Sequence, residues 1–194
     1  IDLAKNDVKS SVRSLAIDQL SLNFESDNDS LTPIYRHAVN DRSYTVAGSA
    51  LTALAKKDKK GALTAAKQLE SEKSVDMKIA IAQIYSKHGT DENHPFFAAL
   101  GKKTTGWETV SFATLYTEFL KRCSDDTINT GIKILENIAR NEDNRWIRHF
   151  GQKGIKDLAQ MYTEREQKIT EEIAKLKAKQ ENSTELKTLE QQLA

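Results

Sequence analysis

The sequence predicts an all-α chain: about four stacked helical hairpins forming an α-solenoid, then a charged helical hairpin at the C-terminal end. Three observations predict it. Apolar residues recur at steps of three and four along most of the 194 residues, the period of a helix face. Only 8 Gly and 2 Pro interrupt a chain rich in alanine, leucine, lysine and glutamate, a composition that favours helix. Finally, "DVKSSVRSLAIDQL" (Asp7 to Leu20) is echoed by "DRSYTVAGSALTAL" (Asp41 to Leu54), with acid, valine, alanine and leucine in the same four places at an offset of 34 residues.

The first helical stripe is Val12, Leu15, Ala16 and Leu20, with Leu22 and Phe24 closing the segment. "ESDNDSLTP" then breaks the pattern, offers Ser30 or Thr32 as an N-cap, and places Pro33 near the first turn of a short helix running to Val39. A second helix of that pair spans about Tyr44 to Lys56. The next pair spans Lys60 to Glu70, with Leu63, Ala66 and Leu69, and Val75 to Lys87, with Ile79, Ala80, Ile84 and Tyr85. After "HGTDENHP" come a short piece with Phe96, Phe97 and Leu100 and a longer helix from Trp107 to Cys123. Asp125 or Asp126 is placed to cap a helix carrying Ile128, Ile132, Leu135 and Ile138, and "RNEDN" leads into another with Trp146, Ile147, Phe150, Ile155, Leu158 and Tyr162. No period-two strand is found.

Within this frame the echo is a packing pattern. Each copy occupies the second helix of a pair and is entered through a turn with an acid, Asp7 or Asp41, suited to capping the following amides. Val12 and Leu20, like Val46 and Leu54, lie two turns apart on one face, and Ala16 and Ala50 between them allow close helix approach. A weaker third copy sets Ala80, Ile81 and Ile84 where Ala16, Ile17 and Leu20 stand. A fourth, "EDNRWIRHFGQKGI", sets Ile147, Arg148, Gly151 and Ile155 against Val12, Arg13, Ala16 and Leu20. Imperfect copies at 30 to 40 residues, the fourth two such steps beyond the third, imply repeats that bury their faces against their neighbours.

The turn acid, the Val-Arg pair, and alanine and leucine at four-residue steps in "DVKSSVRSLAIDQL" resemble the HEAT-repeat family. Arg13 and Arg148 keep the arginine, and Ala47 replaces it in the second copy. The resemblance covers about residues 7–162 and is weakest from His94 to Cys123. Within that family, "IYRHAVNDRSYTVAGSALTALAKKDKKGALTAAKQLE" is similar to the C-terminal helical region of bacterial zinc aminopeptidases of the aminopeptidase N family.

From about Thr163 the chain has no aromatic residue and consists largely of Glu, Lys and Gln. Ile169, Ile173 and Leu176 form one stripe and Leu186, Leu189 and Leu193 another. A heptad set by Ile173 and Leu176 would need apolar residues where Gln180, Ser183, Lys187 and Glu190 stand, so the register fails. "QENST", with Asn182 as cap and Glu185 three residues later, reads as a turn. Residues 1–162 therefore form the expected repeat domain and 163–194 the expected charged hairpin, the rival being a solvated, frayed appendage.

Lys plus Arg number 29 and Asp plus Glu 28, a formal charge of +1, which removes the usual electrostatic argument for a nucleic-acid partner. No apolar run is long enough to span a bilayer. Cys123 has no partner for an internal disulfide and reads as a small buried hydrophobe, so the compartment stays undecided. A zinc peptidase helix carries two histidines four residues apart beside a glutamate, but no two of His37, His88, His94 and His149 are so spaced. No catalytic or metal residue of the aminopeptidases can thus be placed on this chain. "HGTDENHP" gathers His88, Asp91, Glu92 and His94 but reads as a connecting loop with caps. Ser49 after Gly48 reads as a small group tolerated in a packed stack. The aromatics between Tyr85 and Phe119 either fill a distorted repeat or, through Phe96, Phe97 and Trp107, dock another domain.

The chain begins in the turn before a second helix, so an upstream neighbour is expected to supply the missing helix of the first hairpin. The resemblance then implies a non-catalytic domain that packs beside an upstream catalytic domain, stabilises it and restricts peptide access, with zinc held entirely by that other domain. The rival expectation is a free-standing scaffold that binds a protein partner on its concave face.

Overall fold

The computed structural model describes residues 1–24, 28–178 and 190–192, and among them all regular structure is helical. The elements are α1 (Asp2–Asn6), α2 (Ser10–Asn23), α3 (Asn28–Ala38), α4 (Tyr44–Lys57), α5 (Lys59–Leu69), α6 (Val75–His88), a 3-10 turn (Asp91–Asn93), α7 (His94–Gly101), α8 (Trp107–Leu120), α9 (Asp125–Asn141) and α10 (Arg145–Ala178). In one row, α2, α4, α6, α8 and α10 each pack on the next. Against that row lie α1 on α2, α3 on α4, α5 on α4 and α6, and α9 on α8 and α10, while α7 fills the corner between α8 and α9.

The local chemistry explains where these helices start. Asp58 Oδ1 accepts from the Gly61 amide at 2.8 Å and caps α5, and the Ser74 hydroxyl accepts from Met77 N at the start of α6. Thr90 and Asn93 cap each other across the 3-10 turn. Gly106, at φ 55°, takes the left-handed backbone needed to enter α8.

Several sequence expectations shift. Helix α3 begins earlier than expected, with Pro33 inside it rather than in its first turn. Ser124, not Asp125 or Asp126, stands at the N-cap of α9, and Asp125 instead accepts from Tyr162 OH at 2.6 Å. Neither turn acid caps a helix amide deeply: Asp7 accepts from Lys9 N and Asp41 from Ser43 N, two residues on, which shapes the turn before the helix. Helix α10 runs unbroken through the 162/163 boundary for 34 residues. The expected "QENST" turn, with Asn182, Glu185, Leu186, Leu189 and Leu193, lies outside the described residues. Ile173 is buried, and Lys177 pairs with Glu190 at 2.8 Å.

The core follows the row. Ile17, Leu51 and Ile81, at the same place in successive copies, have no exposed surface. Helix α4 touches α2, α3, α5 and α6, so its buried arc is wide: Val46, Ala50 and Leu54 are covered, and so are Ala47, Leu51, Ala53 and Ala55. In α2 the matching Val12, Ala16 and Leu20 are only half-buried. Among the described residues that helix packs mainly on α4 and the short α1, leaving Leu15 59 % and Leu22 62 % exposed. Ala80 and Ile84 are buried in α6; in α10, Ile147 is buried and Ile155 half-buried. Between α7 and α8 the core turns aromatic, with Phe97 against Phe119 at 4.5 Å and against Tyr116 at 5.2 Å between ring centres.

Candidate functional site

Two kinds of polar constellation bear on function: those spent on holding the stack and those left on its surface. The stack is tied by Arg13, whose Nε and Nη2 donate to Asp41 at 2.9 and 2.8 Å while Nη1 donates to the Asp7 carbonyl at 2.7 Å. One guanidinium therefore closes its own entry turn and grips the acid of the next copy. That hydrogen bond, with help from the Ser43 amide, holds the Asp41 carboxyl below the usual carboxylate range. Arg148 repeats half of the job, donating from Nη1 to the Glu142 and Asp143 carbonyls at 2.7 and 3.1 Å. In the second copy Ala47 cannot do so and is simply buried.

Two of the "HGTDENHP" groups, Asp91 and His94, are likewise engaged in structure. Asp91 accepts from Ser124 N at 3.0 Å, bracing the start of α9. His94 Nε2 lies 2.7 Å from Tyr116 OH, and burial lowers the imidazole pKa. Burial foremost, then Lys59, Arg122 and Lys87, lowers that of His88 as well. Among the described residues no three of His, Cys, Asp and Glu gather as a metal site would require. Cys123 is buried, and desolvation pushes its thiol up to about 12, far from a reactive thiolate. Ser49 Oγ lies 2.9 Å from Ser14 Oγ, a small polar contact between α2 and α4.

The surface feature is a groove of about 730 Å³ on the exposed side of the row, running over α2, α4, α6 and α8. Small residues make its floor: Gly48 lies over Ala80, where a Cβ would meet the alanine methyl in ordinary contact at 3.4 Å, and Ser49 and Thr52 continue it. Its rim is built by one recurrent choice. The first residues of α4, α6 and α8 are Tyr44, Val75 and Trp107, which remain 43, 38 and 69 % exposed. Two of them are followed at once by an exposed acid, Asp76 or Glu108, and Asp18 lies across the groove on α2. Tyr44 OH donates to Glu72 at 2.9 Å, adding a further carboxylate at that edge. No described lysine or arginine lines the groove. Past Thr52 and Gln83 it meets a smaller hollow of about 220 Å³ bordered by Lys56, Lys59, Lys87 and His88, so this side of the row is acidic at one end and basic at the other.

The expected docking aromatics separate. Phe97 is wholly buried and stacked inside the chain, so its ring serves the core; Phe96 is half-buried against Tyr85 at 5.3 Å. Trp107 alone of the three stands open to solvent. Tyr44, Val75, Asp76 and Glu108 carried no functional expectation. The signal for them was a bulky residue at the first position of successive helices, off the buried stripe. No protein-family model matches this chain, and a search of curated proteins returns no match.

Proposed function

We propose that this chain is a non-catalytic, HEAT-like helical-repeat domain of a bacterial zinc aminopeptidase, packing beside the catalytic domain to stabilise it and to restrict peptide access. The observation that carries the repeat part is Arg13, which joins one hairpin to the acid of the next, with Arg148 gripping its own entry turn in the same way. The row from α2 to α10, each helix packed on the next, supports a solenoid arrangement. The peptidase part rests on the likeness of residues 34–70 to the helical region of those enzymes. Zinc and the hydrolytic water belong to the other domain in this reading, and the reaction is metal-assisted removal of an N-terminal residue.

The test is the reading frame upstream of Ile1, which is expected to encode an H-E-x-x-H helix and a downstream glutamate ligand. A natural start or leader placed directly before Ile1 would refute the assignment. Hydrolysis of aminoacyl anilides by the isolated 194 residues with added zinc would refute the non-catalytic part. A second reading, a free-standing scaffold for a protein partner, is favoured by the open groove with Trp107 on its rim.

A further inference from the structure

The edge formed by the helix starts uses its aromatics unequally. In α10 the first-turn Trp146 carries the Arg145 guanidinium over its ring at 5.6 Å, a cation–π contact made within the chain. Trp107, in the first turn of α8 and more exposed, has no such cation among the described residues. Beside it stands Glu108, and Asp76 lies in the first turn of the adjacent helix α6, while Asp18 lines the far side of the groove on α2; these carboxylates have no hydrogen bond or ion pair among the described residues. An indole face open to solvent, with carboxylates beside it and no competing lysine or arginine among the described residues of the groove, matches a guanidinium or ammonium on an apolar stem. The stem lies on the ring and the charge meets the acids. The small-residue floor leaves room for a polypeptide backbone, and Tyr44 and Val75 extend the apolar rim along its path.

We infer that this groove docks a cationic polypeptide segment, one arginine or lysine of which stacks on Trp107 and is held by Glu108 and Asp76. The inference is independent of the peptidase assignment, since it needs only this surface. A nucleic acid does not fit, because its phosphates would face the same carboxylates. Nor does a purely apolar segment, which would bury those carboxylates unpaired.

The experiment uses the 194-residue chain with Trp146→Phe, leaving Trp107 as the only tryptophan. A short peptide of arginine, leucine and serine is titrated against it and compared with the same peptide carrying glutamate for arginine. The expected result is saturable change in Trp107 emission with the arginine peptide alone, weakening as salt is raised. By calorimetry, Trp107→Ala weakens binding about tenfold, and Asp76→Asn with Glu108→Gln does so by a similar factor. Both acids also sit in first helical turns, where a carboxylate stabilises the helix. The thermal midpoint of each variant is therefore measured, and only weakened binding by a chain that remains folded at the assay temperature counts in support. Equal binding of the two peptides, or unchanged binding in the folded variants, overturns the inference. So does concentration-dependent dimerisation lost in Trp107→Ala, which would give the groove to a second copy of the chain.

Discussion

Arg13 and Asp41 face each other across 28 residues of sequence in a two-point contact, Nε to Oδ2 and Nη2 to Oδ1, with both side chains largely removed from solvent. Because the same arginine also holds the Asp7 carbonyl, the contact fixes an entry turn and a neighbouring hairpin together. Planar, two-point pairing is what arginine does and lysine cannot.

Asp41→Asn is expected to lower unfolding free energy by about 1.5–3 kcal/mol, the range for hydrogen bonds to charged groups. Arg13→Lys in the parent chain will also destabilise, since lysine cannot make the two-point contact. In a double-mutant cycle measured by urea unfolding, Arg13→Ala in the Asp41→Asn background will cost much less than in the parent.

Acid sensitivity follows from three carboxyls held below their usual range: Asp41 by Arg13, Asp58 by Arg36, and Asp91 by the Ser124 amide. Since each is more acidic folded than unfolded, the unfolded chain takes up protons first as pH falls. Their stabilisation is therefore present above about pH 4 and is lost as pH drops through the folded values. His94 and His88, lowered by burial, add a component present above about pH 6.5 and lost below it. Urea midpoints followed downward in pH will show two declines. Asp41→Asn will make the lower one shallower, and His94→Gln the upper one.

Gly151 sits where α10 crosses α9, and a Cβ there would stand 2.7 Å from Ala139 N and from the Leu135 carbonyl oxygen. Backbone cannot yield as a side chain can, so Gly151→Ala will destabilise by about 1–3 kcal/mol despite alanine's better helix propensity. Thermal unfolding checks it, with Gln152→Ala, next along the helix at an exposed site, as the neutral control.

Cys123, donating to the Phe119 carbonyl at 3.4 Å from inside the core, will react with a thiol reagent only as fast as the chain opens. Its modification rate at neutral pH will rise steeply in denaturant, and an immediate stoichiometric reaction of the native chain would contradict the burial described.

The helical class was legible because a period of three to four is a property of side-chain order alone. In α2 the burial centre was read one residue off: the copy points to Ala16, which is half-buried, while Ile17 has no exposed surface; in α4 Ala50 and Leu51 are both fully covered. A helix with several neighbours, such as α4, buries an arc wider than the stripe a motif names. The half-exposure of Val12 and Leu20 was not legible at all, since it depends on what stands beside α2 rather than on α2 itself. Arg13 was visible as a motif residue, but its grip on Asp41 joins positions that only the stacking brings together. The groove escaped because Tyr44, Val75 and Trp107 recur by position in their helices rather than by similarity of side chain.

Helix α10 outgrows its neighbours. Tyr162 reaches Asp125 at the very start of α9, and Arg165 donates to the Lys121 carbonyl just beyond the end of α8, so the part of α10 after Arg165 has passed the ends of both helices it lies against. At 1.5 Å per residue the remaining stretch to Ala178 reaches about 20 Å. This stretch buries Ile173 and pairs Lys177 with Glu190, and its direction is set by the anchored turns before it. Its length in residues is a ruler: adding or deleting whole turns would move whatever the tail meets by fixed steps without disturbing the stack.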